Sequence, residues 1–202
     1  MLILKEGGRT EIVIKRSRFI ADLMSVETQE GARELLRSLK EQWALQGITH
    51  LVHAFIVGPG ANVMGCSDDG EPSGTAGRPV LEVLKGTGMT NVMLTVARYF
   101  GGIKLGTGGL VKAYTESAQS VVALAKSAEL VPMVTFTLSC QYPSYERIKL
   151  ILAACDAAIE NEEFGTEVVL RATSKEAVFD EIARQCRDIT RGQAKIEKVG
   201  SG

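Results

Sequence analysis

After Pro132 the chain changes character. Glycine, dense between Gly58 and Gly109, almost disappears, and the hydrophobic residues fall into two clean periods. Val134, Phe136, Leu138 and Cys140 alternate with Thr135, Thr137 and Ser139, the period of two of a half-buried strand. Pro143 and Ser144 then open a helix, with Ser144 as the expected N-cap and Tyr145, Ile148, Leu152 and Cys155 on one face. A short segment over Ala158–Glu162 and a turn at Phe164-Gly165 lead to a second alternating strand through Val168, Leu170 and Ala172. Ser174 is the expected cap of a second helix, whose apolar face is Phe179, Ile182, Cys186 and Ile189. A last strand carries Ala194 and Ile196. The resulting order, β-α-β-β-α-β, is that of a ferredoxin-like split βαβ unit. The change in composition near Ala128–Met133 predicts two domains, 1–131 and 132–202, within an α+β chain.

The first part is mixed as well. Ile12–Ile14 and Phe19–Val26 read as strands on either side of Lys15-Arg16-Ser17-Arg18. Thr28 caps a helix that turns Ala32, Leu35, Leu36, Leu39 and Trp43 to a core. Leu51–Val57 and Asn91–Ala97 are nearly continuous apolar runs, as buried central strands are. Arg78–Lys85 reads as a short helix with Pro79 in its first turn. A long helix runs from Leu110 to Ser127, lined by Leu110, Tyr114, Ala118, Val121 and Ala125.

The whole chain has 202 residues, 45% hydrophobic and 23% charged, with a formal net charge of −1. That composition supports folded cores and gives no global basic field, so any RNA contact must use a local patch. No segment reads as a membrane span, and Met1–Gly8 lacks the apolar core of a secretory signal. The four cysteines, Cys66, Cys140, Cys155 and Cys186, form no CxxC pair and signal neither a zinc site nor a redox motif. Cytoplasmic location follows as the simplest expectation, with no cofactor.

Two loops hold the unusual chemistry. In Ser67–Gly77, Asp68, Asp69 and Glu71 lie close together, followed by Ser73 and Thr75. Clustered carboxylates suit a hard cation, but the EF-hand spacing is absent, and Asp and Gly are equally what a surface turn or an interaction loop requires. In the second loop, Arg98-Tyr99-Phe100-Gly101-Gly102-Ile103-Lys104-Leu105-Gly106-Thr107-Gly108-Gly109 joins a buried strand to the long helix. Glycines free backbone N–H groups to face a ligand, and a helix N-terminus favours anions. Arg98, Lys104 and Lys112 supply positive charge, so an RNA phosphate fits, while Tyr99 and Phe100 could stack on bases. Close strand-to-helix packing explains the same glycines, and neither the Walker nor the dinucleotide fingerprint is present.

These strings resemble the YigZ/IMPACT family. The resemblance is carried by Asp68–Gly77, Arg98–Gly106, Gly109-Leu110-Val111-Lys112-Ala113-Tyr114 and the earlier Lys15-Arg16-Ser17-Arg18-Phe19-Ile20. It implies a first domain like domain IV of elongation factor G, a ribosomal-protein-like βαβ sandwich, and a ferredoxin-like second domain like domain V. Eukaryotic members regulate translation through a kinase-activation pathway, using an additional N-terminal domain without counterpart here. For bacterial members the resemblance implies association with RNA or the ribosome. One departure concerns a histidine pair common in the family: here Thr49-His50 is followed by Leu51, and the next histidine is His53. His53 shares a strand face with Leu51 and Phe55, which makes it a core or rim residue.

The expectation is a non-enzymatic, translation-associated protein binding RNA or the ribosome through the glycine loop, with no catalytic residue assigned. Two alternatives stand beside it. One is a metal- or anion-dependent hydrolase using the Asp/Glu loop, with Ser73, Thr75 or Cys66 as nucleophile and His50 or His53 as base. The other is a protein-interaction module acting on a translation partner.

Overall fold

The computed structural model describes residues 1–199. The chain forms two compact units, 1–130 and 131 onward, each mixing helices with antiparallel strands.

In the first unit the elements are β1 (Leu2–Glu6), β2 (Gly8–Ile14), β3 (Ser17–Ser25), α1 (Gln29–Ala44), β4 (His50–Val57), β5 (Val63–Ser67), α2 (Gly77–Gly86), β6 (Met89–Thr90), β7 (Val92–Tyr99), α3 (Thr107–Val122) and β8 (Lys126–Glu129). A five-stranded antiparallel sheet has the order β2-β3-β7-β4-β5, and a small sheet has the order β6-β1-β8. Alternation on the central strand β7 separates two layers. Val92, Leu94 and Val96 pack with α2 and α3, whereas Met93 and Ala97 face α1. Covered on both faces, β7 is buried from Val92 to Arg98, which is why it reads as an apolar run rather than an alternating one. Thr28 caps α1 by accepting a hydrogen bond from the Gly31 N–H at 3.0 Å. Ala32, Leu39 and Trp43 are the buried residues of that helix.

Three differences from the sequence reading concern strands. Helix α3 starts at Thr107 and stops at Val122 rather than running to Ser127, because Lys126–Glu129 pairs with β1 instead. Strand β1 and the two-residue β6 carry too little pattern to be read. Strand β5, in the glycine-rich stretch after Val57, shows no periodic pattern in sequence, and its register against β4 makes it a strand.

The second unit runs β9 (Met133–Cys140), α4 (Tyr142–Ala154), β10 (Ala158–Phe164), β11 (Val168–Lys175), α5 (Glu176–Ile189) and β12 (Lys195–Lys198). Its antiparallel sheet has the order β10-β11-β9-β12. Phe136, Leu138, Val168, Leu170 and Ala172 of the sheet meet Ile148 and Leu152 of α4 and Phe179, Ile182 and Cys186 of α5. Both expected caps are displaced. Gln141 precedes α4, and Ser144 lies inside its first turn, its N–H bonded to the Gln141 carbonyl. Ser174 remains in β11, paired with Val134, and Lys175 takes the N-cap place of α5. The strand ladder holds Ser174 in extended geometry, and the Pro132 carbonyl accepts the Glu176 N–H, which no capping side chain takes up. Among the described residues no helix is long and apolar enough to cross a membrane, and the four cysteines are free thiols.

Candidate functional site

The site begins with the end of β7. Strand alternation puts Arg98 on the same side as Leu94 and Val96, so its cation enters the α2/α3 layer, and its side chain is only 6% exposed. A buried guanidinium requires a compensating charge, which the acidic loop delivers. Arg98 Nη1 lies 2.5 Å from Glu71 Oε1, and the Tyr114 hydroxyl of α3 donates to the same oxygen at 2.8 Å. Arg98 Nη2 reaches Ser17 Oγ at 3.4 Å, and that hydroxyl also accepts from the Gly101 N–H at 3.2 Å. The guanidinium sits 5.4 Å from the Phe19 ring centroid and 5.5 Å from that of Phe100. Burial, then the Glu71 carboxylate, push the Tyr114 phenol up, so it stays a donor. The two loops, separate in sequence, are thus joined by one buried network.

The three carboxylates of the acidic loop serve three different ends. Asp68 accepts from the backbone N–H groups of Gly74 at 2.8 Å, Ala76 at 3.0 Å and Gly77 at 2.8 Å. It therefore fills the N-terminus of α2, which has no side-chain cap of its own. Asp69 accepts from Lys40 Nζ of α1 at 2.6 Å and from the Leu51 N–H at 2.7 Å. Glu71 is the partner of Arg98. Thr75 is buried, with its hydroxyl on the Pro72 carbonyl at 2.7 Å, whereas Ser73 is exposed. His50 approaches from β4: Nδ1 is 2.8 Å from the Asp69 carbonyl oxygen and Nε2 is 4.0 Å from Glu71 Oε2. Among the described residues no group of three or more His, Cys, Asp and Glu side chains could hold a metal ion.

Asp68 gives the loop a pH dependence. Burial raises its carboxyl, and the three N–H donors outweigh that, holding it below the ordinary carboxylate range. A depressed carboxyl adds stability above its unfolded pKa of about 3.9, and this is lost as pH falls through the folded value. Asp68→Ala should cost about 2 kcal/mol at pH 7, at the low end for bonds to a charged acceptor because the group is partly exposed. In urea unfolding, the gap to the parent protein should narrow as pH drops below about 4.

The glycine loop divides into an inner and an outer part. Inside, a Cβ on Gly101 would lie 2.1 Å from the Arg16 carbonyl, so this position requires glycine to seat the loop against the β2–β3 turn. The Phe100 N–H donates to Thr49 Oγ1 at 3.1 Å. Tyr99 is half-buried on the opposite sheet face, under the Arg18 guanidinium at 4.9 Å. Outside, Gly102, Lys104 and Gly108 are exposed and Gly109 is half-buried. Gly106, at φ +78°, stands at the N-cap of α3, which has neither a capping side chain nor an acidic residue in its first turn. Lys112 is exposed, 3.7 Å from Glu116.

This corrects one sequence expectation: Arg98 is not available to a phosphate, because the strand register turns it inward onto Glu71. It also adds Ser17, Lys40, Thr49 and Tyr114 to the site. Of these Ser17 and Tyr114 lie in the strings that carry the family resemblance, and Tyr114 has a physical signal of its own, since a tyrosine on an apolar helix face has a hydroxyl that must find a partner.

Residues 15–122 match the Impact N-terminal domain, and residues 138–193 match a domain of unknown function, DUF1949. The chain is 35% identical over 185 residues to IMPACT family member YigZ of Escherichia coli (strain K12), covering 91% of this chain and 90% of that one. It is 34% identical over 196 residues to IMPACT family member YvyE of Bacillus subtilis (strain 168), covering 96% and 89%. A crystal structure of a hypothetical protein superposes with a TM-score of 0.72 at 32% identity, covering 100% of this chain and 98% of that one. Sequence strings, domain content and full-length similarity agree, and the chain belongs to the IMPACT family.

Proposed function

We propose that this chain is a non-enzymatic, cytoplasmic, translation-associated protein that contacts RNA or the ribosome through the outer part of the glycine loop. The observation that carries this reading is the N-terminus of α3. It has no capping side chain and no first-turn acid, while α2 has its N-terminus filled by Asp68. Lys104 and Lys112 are exposed on either side of it in sequence, and Phe100 is 47% exposed. Backbone donors with two lysines suit a phosphate, and an exposed aromatic suits an unpaired base. Arg98 then acts as a positioning residue for the loop. The reading extends to the fold: a domain over 1–131 like elongation factor G domain IV, and a ferredoxin-like domain over 132–202. The latter is supported by the β-α-β-β-α-β order and by the central placing of β11 and β9.

A second reading, a module binding a translation-related protein, is supported by Ile103 and Val111, 41% and 39% exposed near the same loop. Fluorescence titration with a short single-stranded RNA and sedimentation with ribosomes test the first. Lys104→Glu with Lys112→Glu should abolish detectable binding. Lys112→Ala should lower the slope of log affinity against log salt by about 0.7 if one phosphate contact is lost. Affinity that ignores salt, or none for either probe, sinks the RNA reading. A captured partner that survives nuclease treatment favours the protein reading.

A further inference from the structure

The sheet face under α1 carries a polar row that the functional reading leaves unused. Arg9, Asp22, Thr95, His53 and Ser67 are successive cross-strand partners on β2, β3, β7, β4 and β5. The row splits the packing beneath α1 into two apolar clusters. Leu39 and Trp43 lie with Ile20, Leu51 and Ala97 in one, and Ala32 lies with Val26, Phe55, Val57 and Met93 in the other. Leu35 and Leu36 touch both, so the helix spans the row. At one end Arg9 holds Asp22 at 2.6 and 3.0 Å. The middle is unsatisfied: Thr95 Oγ1 and His53 Nδ1 are buried and make no hydrogen bond, and Thr95 is wholly inaccessible. Unpaired buried polar atoms oppose the closure of α1, and the two apolar clusters offset them. Helix α1 is also tied to the acidic loop through Lys40 and Asp69.

We propose that α1 is a proton-controlled cover of this sheet face: protonation of His53 displaces the helix and breaks the Lys40–Asp69 tie to the Asp68–Gly77 loop. An imidazolium here must be hydrated, and the elements packed against it offer little compensation. Strand β7 presents Thr95 and β5 presents Ser67. Helix α1 presents the Lys40 ammonium, and the loop presents Asp69, which Lys40 and the Leu51 N–H already occupy. Asp22, beyond Thr95, is held by Arg9. Burial, then Lys40, keep the imidazole below its ordinary value against the opposite pull of Asp69 and the Leu51 backbone. The closed state thus selects neutral His53, and closure weakens as pH falls below the unfolded value of about 6.5.

Amide hydrogen exchange of the full chain between pH 7.5 and 5.5, corrected for intrinsic rates, tests this. Protection of α1 amides should fall with pH, by up to about tenfold per unit for one linked proton, while β7 amides change less. His53→Gln, neutral throughout, should flatten the α1 response. Equal α1 protection at both ends of the range overturns the proposal, and so does a loss that persists in His53→Gln. If that variant does not fold, NMR titration of the His53 ring in the parent protein decides. A ring that titrates without shifting the α1 amides or the Lys40 and Asp69 signals also overturns it.

Discussion

Glu71→Ala should destabilise the first unit by about 3–5 kcal/mol, the cost of leaving one member of a buried ion pair without the other. Its partner Arg98 is 6% exposed and cannot swing to solvent, because its strand is fixed on both sides by β3 and β4. The same substitution strands the Tyr114 hydroxyl, whose acceptor in the core is Glu71. Urea unfolding should show the loss as a lower midpoint. The decisive comparison is Glu71→Leu combined with Arg98→Met. Removing both charges and filling the space should recover the part of the loss due to the unpaired guanidinium, since a buried pair is often no better than apolar residues of similar volume, and leave the part due to the Tyr114 hydroxyl, which still lacks its acceptor. A double variant as unstable as Glu71→Ala would show that charge compensation is not what the site needs. If the glycine loop is the contact surface, Glu71→Ala should also weaken RNA binding without touching RNA, because Arg98 carries Phe100 and, through Ser17, Gly101.

Phe136→Ala should cost the second unit about 3–5 kcal/mol, as deletions of large buried aromatics do. Phe136 is fully buried on β9, which lies between β11 and β12 and cannot relax into the space. It also loses an edge-to-face contact with Phe179, their centroids 5.3 Å apart. Folded domains have only about 5–15 kcal/mol in hand, so this is a large fraction for a unit of this size. Hydrogen exchange at the β9 and β11 amides should report it directly, and Phe136→Leu should recover more than half. A loss below about 1 kcal/mol would mean the core around Phe136 is loosely packed.

The elements that could be read from sequence are those whose burial is periodic and local. Helix α1 with its Thr28 cap and the β-α-β-β-α-β order after Pro132 show one dominant period, and strands β4 and β7 show as nearly continuous apolar runs. Elements defined by a partner could not be read. Strand β8 looks like the tail of α3 until β1 pairs with it, and β5 looks like loop until β4 sets its register. Ser144 and Ser174 are good capping residues in isolation, but the neighbouring ladder and turn place Gln141 and Lys175 at the caps.

The loops that matter stood out at once, as unusual runs of glycine and charge. The sequence by itself determined where chemistry-bearing residues are concentrated. It did not determine which charges are used up inside. Glu71 and Arg98 are 27 positions apart, and Tyr114 is 43 from Glu71; only the order of strands in the sheet and the packing of α3 bring them together. Local period is written residue by residue, whereas compensation of a buried charge depends on contacts that closing the fold creates. The tertiary structure therefore decided that Arg98 and Glu71 hold the two loops to each other, and left Lys104, Lys112 and Phe100 to face outward.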